Sequence, residues 1–186
     1  MRHINIIPDD LQGAFVLLFM LLLLILSFLA GAYLANRGIW QGIFLHDPLT
    51  KGMKLVHFQN RIKRLLDKKS DVAAALVLLN IEHFQRINHR YGMQLGDEVL
   101  CLVYKVLQQH LGREEFLARG EGDSFFLLLL TQDQKQLQDR IDEMQRAVHI
   151  QTAHLQPIIR LRQGACLIDS TQRDTGILLD RAKLAL

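Results

Sequence analysis

Hydrophobic positions divide the chain into one long apolar block followed by shorter periodic segments. Gly13 to Ala35 carries no charged residue and one serine, Ser27. A helix needs roughly 20 apolar residues to cross a bilayer, so this block is long enough to span one. Met53 to Leu66 predicts a helix, because Leu55, Phe58, Ile62 and Leu65 recur at helical spacing among Lys and Arg residues. Ala73 to Ile81 is almost wholly apolar, as a strand covered on both faces would be. Glu82 to His89 is short and polar, and Tyr91-Gly92 breaks it. Gly96 to Leu111 predicts a second helix with Val99, Leu102, Val103, Val106, Leu107 and Leu111 on one side. Phe116 to Arg119 and Ser124 to Leu130 read as strands of a hairpin, joined by Gly120-Glu121-Gly122-Asp123. Gln132 to Val148 predicts a polar helix buried along Leu137, Ile141, Met144 and Val148. Ile158 to Ile168 predicts a strand interrupted by Gly164, and Thr175 to Leu186 a last helix.

These elements predict a short outer tail over 1–12, a transmembrane helix over 13–35, a linker over 36–46 and a folded domain over 47–186. The domain's element order suits the α/β (α+β) class: a central, mostly antiparallel sheet flanked by helices, of the plan used by nucleotidyl cyclases and polymerase palms. In the linker, Trp40 is an expected marker of the membrane interface.

A signal peptide is the alternative for the apolar block, and Ala30-Gly31-Ala32 could serve as its cleavage site. Against it stand the length of the block and the aspartates Asp9 and Asp10, where a positive region belongs. Arg2 is the one basic residue among Arg and Lys before the span, whereas Arg37, Lys51 and Lys54 follow it. The positive-inside bias then puts the N-terminus outside and the domain in the cytoplasm. The net charge of +3 does not point to nucleic acid. Lys51, Lys54, Arg61, Lys63, Arg64, Lys68 and Lys69 form a basic set near the membrane, readable as a solvated helix face or as attraction to anionic lipid. Cys101 and Cys166 lie in apolar stretches without metal-ligand spacing and are expected to be reduced core residues.

Candidate chemistry concentrates in two runs. Asn80 to Asp97 reads N-I-E-H-F-Q-R-I-N-H-R-Y-G-M-Q-L-G-D, and Arg119 to Phe125 reads R-G-E-G-D-S-F. Each joins an apolar strand to polar or acidic residues, which together could hold a divalent cation and a nucleotide phosphate. Taken alone, Asp123 also reads as a turn residue, Asn88 and Asp97 as local caps, and His83 and His89 as solvent-facing helix residues.

The two runs resemble the signature of the GGDEF domain, the family of diguanylate cyclases. The resemblance begins at Asp47-Pro48-Leu49-Thr50, similar to the family's DxLT motif, with Phe58 at its usual following Phe. Lys51-Gly52-Met53-Lys54-Leu55 stands where the family has Gly-Leu-x-Asn-Arg. The resemblance implies that Asn80 falls on a metal-binding Asp position and Glu82 on the second acidic position of that strand end. It implies that Asn88 and Asp97 grip guanine, with Gly92 and Gly96 shaping the loop between them. Arg119 falls on the Arg that steadies phosphate or a nearby acid. Within the signature, Gly122, Asp123 and Phe125 match, whereas Glu121 replaces a Gly and Ser124 replaces a Glu. Asp123 is left as the obvious metal carboxylate and the candidate catalytic group, with Gly120 completing the turn.

The resemblance therefore implies an eroded site: a membrane-anchored GGDEF domain in cyclic di-GMP signalling that binds GTP or a protein partner and regulates, instead of acting as a robust cyclase. Mg²⁺ would accompany any bound nucleotide. The alternatives are a weak diguanylate cyclase, with Asp123 and Glu82 holding the metal, and a structural membrane scaffold. A homodimer or an EAL-domain partner is expected from the family, and lipid would be met through residues 13–35. Gly112 to Glu115 do not match the family's RxxD product-inhibition site, and Leu179 to Leu186 resembles the family's last helix cut short.

Overall fold

The computed structural model describes residues 9–68, 73–131, 133–168 and 174–186, the side chains of 9–12 and 34–44 excepted. Arg2, Lys69 and Gln132, and the side chains of Arg37 and Trp40, lie outside the described residues. The elements are α1 (Asp9–Leu45), β1 (Met53–Lys54), α2 (Leu55–Lys68), β2 (Ala74–Ile81), α3 (Phe84–Tyr91), α4 (Met93–Gln109), β3 (Phe116–Arg119), β4 (Ser124–Leu130), α5 (Gln134–Gln151), β5 (Leu161–Leu167) and α6 (Thr175–Leu184). Two units result, 1–43 and 44–186.

In the first unit, Gly13–Tyr33 is a 21-residue stretch of mean hydropathy 2.9, long and apolar enough to cross a membrane. Its large side chains are exposed, Leu18 and Phe19 among them. The expected linker over 36–46 is instead helical as far as Leu45. Gly38 and Gly42 each cost a helix about 1 kcal/mol relative to Ala, which does not break it. The stop comes at Asp47-Pro48, because the residue before a proline is steered away from helical backbone.

In the second unit the strands lie in the order β1-β3-β4-β2-β5, forming one five-stranded sheet. All pairs are antiparallel except β1 with β3. Side chains alternate between the two faces of a strand, and β2 shows this directly. Ala75, Val77, Leu79 and Ile81 join one core with Val99, Val103 and Leu107 of α4 and Ile141, Met144 and Val148 of α5. Leu76 and Leu78 join the other, with Phe58 and Ile62 of α2 and Leu178 and Ala182 of α6. β4 divides in the same way, Phe125, Leu127 and Leu129 to one side and Phe126 and Leu128 to the other. The apolar run Ala73 to Ile81, read as a doubly covered strand, and β4 beside it are therefore the middle layer of an α/β/α sandwich.

The segment Met53 to Leu66, expected as one helix, begins instead with the two-residue β1, whose Met53 and Lys54 pair with Ala118 and Arg119. A strand so short leaves no period-2 signature. The strand expected from Ile158 starts at Leu161, and Ile158 itself is exposed.

Candidate functional site

The site grows from the end of β2 and the turn between β3 and β4. In that turn the Gly120 amide donates to the Ser124 carbonyl at 2.8 Å, and the Ser124 amide donates to the Glu121 carbonyl at 3.2 Å. Gly122 has φ +62°, a left-handed conformation that glycine adopts without a Cβ penalty. Glu121 and Gly122 are exposed, and Asp123 is half-buried. The amide of Ile81 donates to the Asp123 carbonyl at 3.4 Å, which ties the turn to the end of β2.

Strand register then sets the neighbours. Asn80 pairs with Ser124 on one side and with Arg162 of β5 on the other. Cross-strand partners share a face, so Ser124, Asn80 and Arg162 form one row across three strands, on the α2/α6 face. Asn80, Glu82 and Asp123 line a common cavity of about 370 Å³ with His83, Arg86 and Arg162. The Asn80 amide oxygen is buried there without a hydrogen-bond partner.

The structure thus brings together the three residues expected at the metal. Among the described residues, no three His, Cys, Asp or Glu side chains cluster as a ready metal site. Two carboxylates, Glu82 and Asp123, nevertheless suit Mg²⁺, which binds through one or two carboxylates while keeping waters and nucleotide phosphates. The donors fit a metal that arrives on a nucleotide, not one held in an all-protein cage.

The residues expected at guanine lie on α3 and α4. Gly96 is packed so closely that a Cβ on it would fall 1.8 Å from the Asn88 amide oxygen. That oxygen is buried and has no hydrogen-bond partner. Asp97, next along α4, is exposed. Neither residue lines the cavity shared by Asn80 and Asp123.

Arg119, expected to steady phosphate or a nearby acid, faces inward. It is 7% exposed. Its guanidinium donates to the carbonyls of Ser124 at 3.1 Å, Gly120 at 3.3 Å and Gly122, and it lies 5.0 Å from the centre of the Phe125 ring. The side chain braces the turn by consuming its carbonyls. Burial lowers its pKa, and the charges of Asp47, Asp123 and Asp97 oppose that fall. Asp47 is held by its own turn, where its carboxylate accepts from the Thr50 amide at 2.8 Å and the Thr50 hydroxyl at 2.9 Å.

His83 and His89 are exposed, as expected of solvent-facing positions. Cys101 and Cys166 are free thiols. Burial pushes both up, and Asp97 and Asp47 add to the effect on Cys101. Two lining residues, Arg86 and Arg162, were not foreseen from the sequence. The available signal for Arg162 was a lone charged residue within the strand Leu161–Leu167.

Residues 44–186 match the family described as diguanylate cyclase, GGDEF domain. Among curated relatives, the diguanylate cyclase TpbB of Pseudomonas aeruginosa (strain UCBPP-PA14) is 32% identical over 136 residues, covering 72% of this chain and 29% of TpbB. The probable diguanylate cyclase DgcT of Escherichia coli (strain K12) is 27% identical over 108 residues, covering 56% of this chain and 24% of DgcT. The chain therefore matches less than a third of the length of either relative. Among solved structures, the coiled coil and GGDEF domain of DgcB from Caulobacter crescentus, in complex with c-di-GMP, superposes with a TM-score of 0.73 at 19% identity, covering 89% of this chain and 91% of that one. The match over 44–186 covers the whole second unit: this chain belongs to the GGDEF domain family.

Proposed function

We propose that this chain is a membrane-anchored, degenerate GGDEF domain in cyclic di-GMP signalling that binds GTP, or a protein partner, and regulates instead of running robust cyclase chemistry. The observation that carries the reading is the row at the strand ends. Condensing two nucleoside triphosphates calls for carboxylates around Mg²⁺, which neutralises phosphate charge and favours the attacking hydroxyl. Here Asn80 offers an amide and its register partner Ser124 a hydroxyl. On the guanine side, the buried, unpartnered Asn88 oxygen supports nucleotide binding, since an orphaned acceptor gains a partner when a donor arrives. Asp97 would accept from the guanine edge beside it.

The test is to titrate the full chain in detergent micelles with GTP and Mg²⁺ while assaying cyclic di-GMP. The expected result is saturable GTP binding with little or no product. Absence of binding at millimolar GTP would sink the nucleotide reading and leave a scaffold for a partner, such as a second copy or an EAL domain. One observation favours a weak cyclase as the second reading: Glu82 and Asp123 line the same cavity. Product that disappears in Asp123→Asn would establish it.

A further inference from the structure

The cavity at the strand ends holds cations as well as acids. Arg86 of α3 and Arg162 of β5 line it together with Glu82 and Asp123. Among the described residues, neither arginine forms an ion pair with a carboxylate. Arg162 is fixed in position by register, directly opposite Asn80. Side chains in such a pair leave the sheet on the same face with their Cβ atoms about 5 Å apart. The neutral amide at Asn80 and the guanidinium beside it have one electrostatic effect in common: both make the strand end a poorer place for a divalent cation. The same guanidinium makes it a better place for phosphate oxygens, which arginine meets with paired N–H donors.

We infer that Arg162, assisted by Arg86, is a specificity-determining residue for the phosphates of a bound nucleoside triphosphate, supplying positive charge that lets this cavity hold the nucleotide with little dependence on Mg²⁺. The inference rests on the reading that a guanine nucleotide binds here. Glu82 and Asp123 oppose an anion in the same cavity. Any Mg²⁺ carried on the nucleotide would sit with them, while Arg162 takes phosphate oxygens at the β5 side.

The experiment measures binding of GTP, GMP and guanosine to the full chain in detergent micelles, in Mg²⁺ and in excess EDTA. The unaltered chain should lose less than about tenfold in GTP affinity when Mg²⁺ is removed, and should prefer GTP to guanosine in EDTA. Arg162→Gln should lose about tenfold to a hundredfold for GTP in EDTA, the range expected for hydrogen bonds to a charged group. It should also lose the preference for GTP over guanosine while keeping guanosine affinity. Arg162→Lys, which keeps the charge without the fork, should recover part of the loss. Circular dichroism matching that of the unaltered chain confirms that each variant is folded. Unaltered GTP affinity in Arg162→Gln with EDTA present would overturn the inference and leave Arg162 as a charge protecting a sheet edge. Complete loss of binding by the unaltered chain in EDTA would also overturn it, while GTP binding in Mg²⁺ kept the functional reading intact. No binding of any guanine compound in either condition would remove both.

Discussion

A single methyl group can test the guanine site. A Cβ on Gly96 would meet the Asn88 amide oxygen at 1.8 Å and Phe84 at 3.3 Å. The closest atom is the tip of a short side chain, so the amide can rotate away while the helices stay packed. Ala is also about 1 kcal/mol better than Gly inside a helix, which offsets part of the crowding. Gly96→Ala is therefore expected to stay within about 1 kcal/mol of the parent in urea denaturation but to bind GTP about tenfold more weakly, the loss of one well-made hydrogen bond. Undiminished GTP affinity would show that Asn88 does not meet the base. At this scale Gly122 and Asp123 were legible, because a left-handed turn position calls for glycine and an adjoining Asp suits a turn. Arg119 was not. A buried arginine that binds turn carbonyls and one that reaches for phosphate have the same letter at the same spacing, and only the packing against Phe125 separates them.

Between elements, one charged group joins three. Glu115 is 8% exposed. Its carboxylate accepts from the Gly112 amide at 2.7 Å, from the Leu130 amide at 2.7 Å and from Arg140 of α5, one of whose nitrogens lies 2.7 Å away. The start of β3, the end of β4 and α5 are tied at that point. Burial pushes the Glu115 carboxyl up, but Arg140 and the two amides outweigh it and hold the pKa below its usual 4.5. A carboxylate held lower in the folded state adds stability that is present above the unfolded value and fades as pH falls through the folded one. The stability of the parent should accordingly decline on acidification below about pH 4.5, and Glu115→Gln should lack that part of the slope. Breaking a buried pair costs about 3–5 kcal/mol. Because the Arg140 side chain remains 26% exposed to water, about 2–4 kcal/mol is expected for Glu115→Gln at pH 7. Urea midpoints at pH 7 and pH 4 measure both effects, and parallel pH profiles for the two proteins would refute the linkage. The sequence foretold β3 and β4 to the residue, since apolar runs bounded by Gly and Asp define themselves. It did not foretell that Glu115 belongs to the core, because its partner Arg140 is 25 residues away.

The whole molecule poses a question of location. Gly13–Tyr33 leaves its leucines and phenylalanines exposed, and in water that surface would be costly to maintain. A bilayer removes the cost, which is why we propose that the chain is a single-pass membrane protein. The full-length chain is then expected in the membrane fraction, resistant to alkaline extraction. Each arginine near the middle of a spanning helix costs insertion about 2.5–3.5 kcal/mol, and each leucine removed forfeits about 0.5 kcal/mol more. Leu22→Arg with Leu24→Arg should therefore disfavour insertion by about 6–8 kcal/mol and move the protein out of the membrane fraction. A signal peptide predicts something different: a shorter mature chain beginning after Ala32, released from the membrane. Orientation is a separate matter, decided by the basic residues that follow the span. A reporter fused after Leu186 should fluoresce as a cytoplasmic protein does, and a phosphatase that works only outside should stay silent there. The opposite pair of signals would put the GGDEF domain on the side without GTP, and nucleotide regulation would then fail for reasons that no contact within the domain could repair.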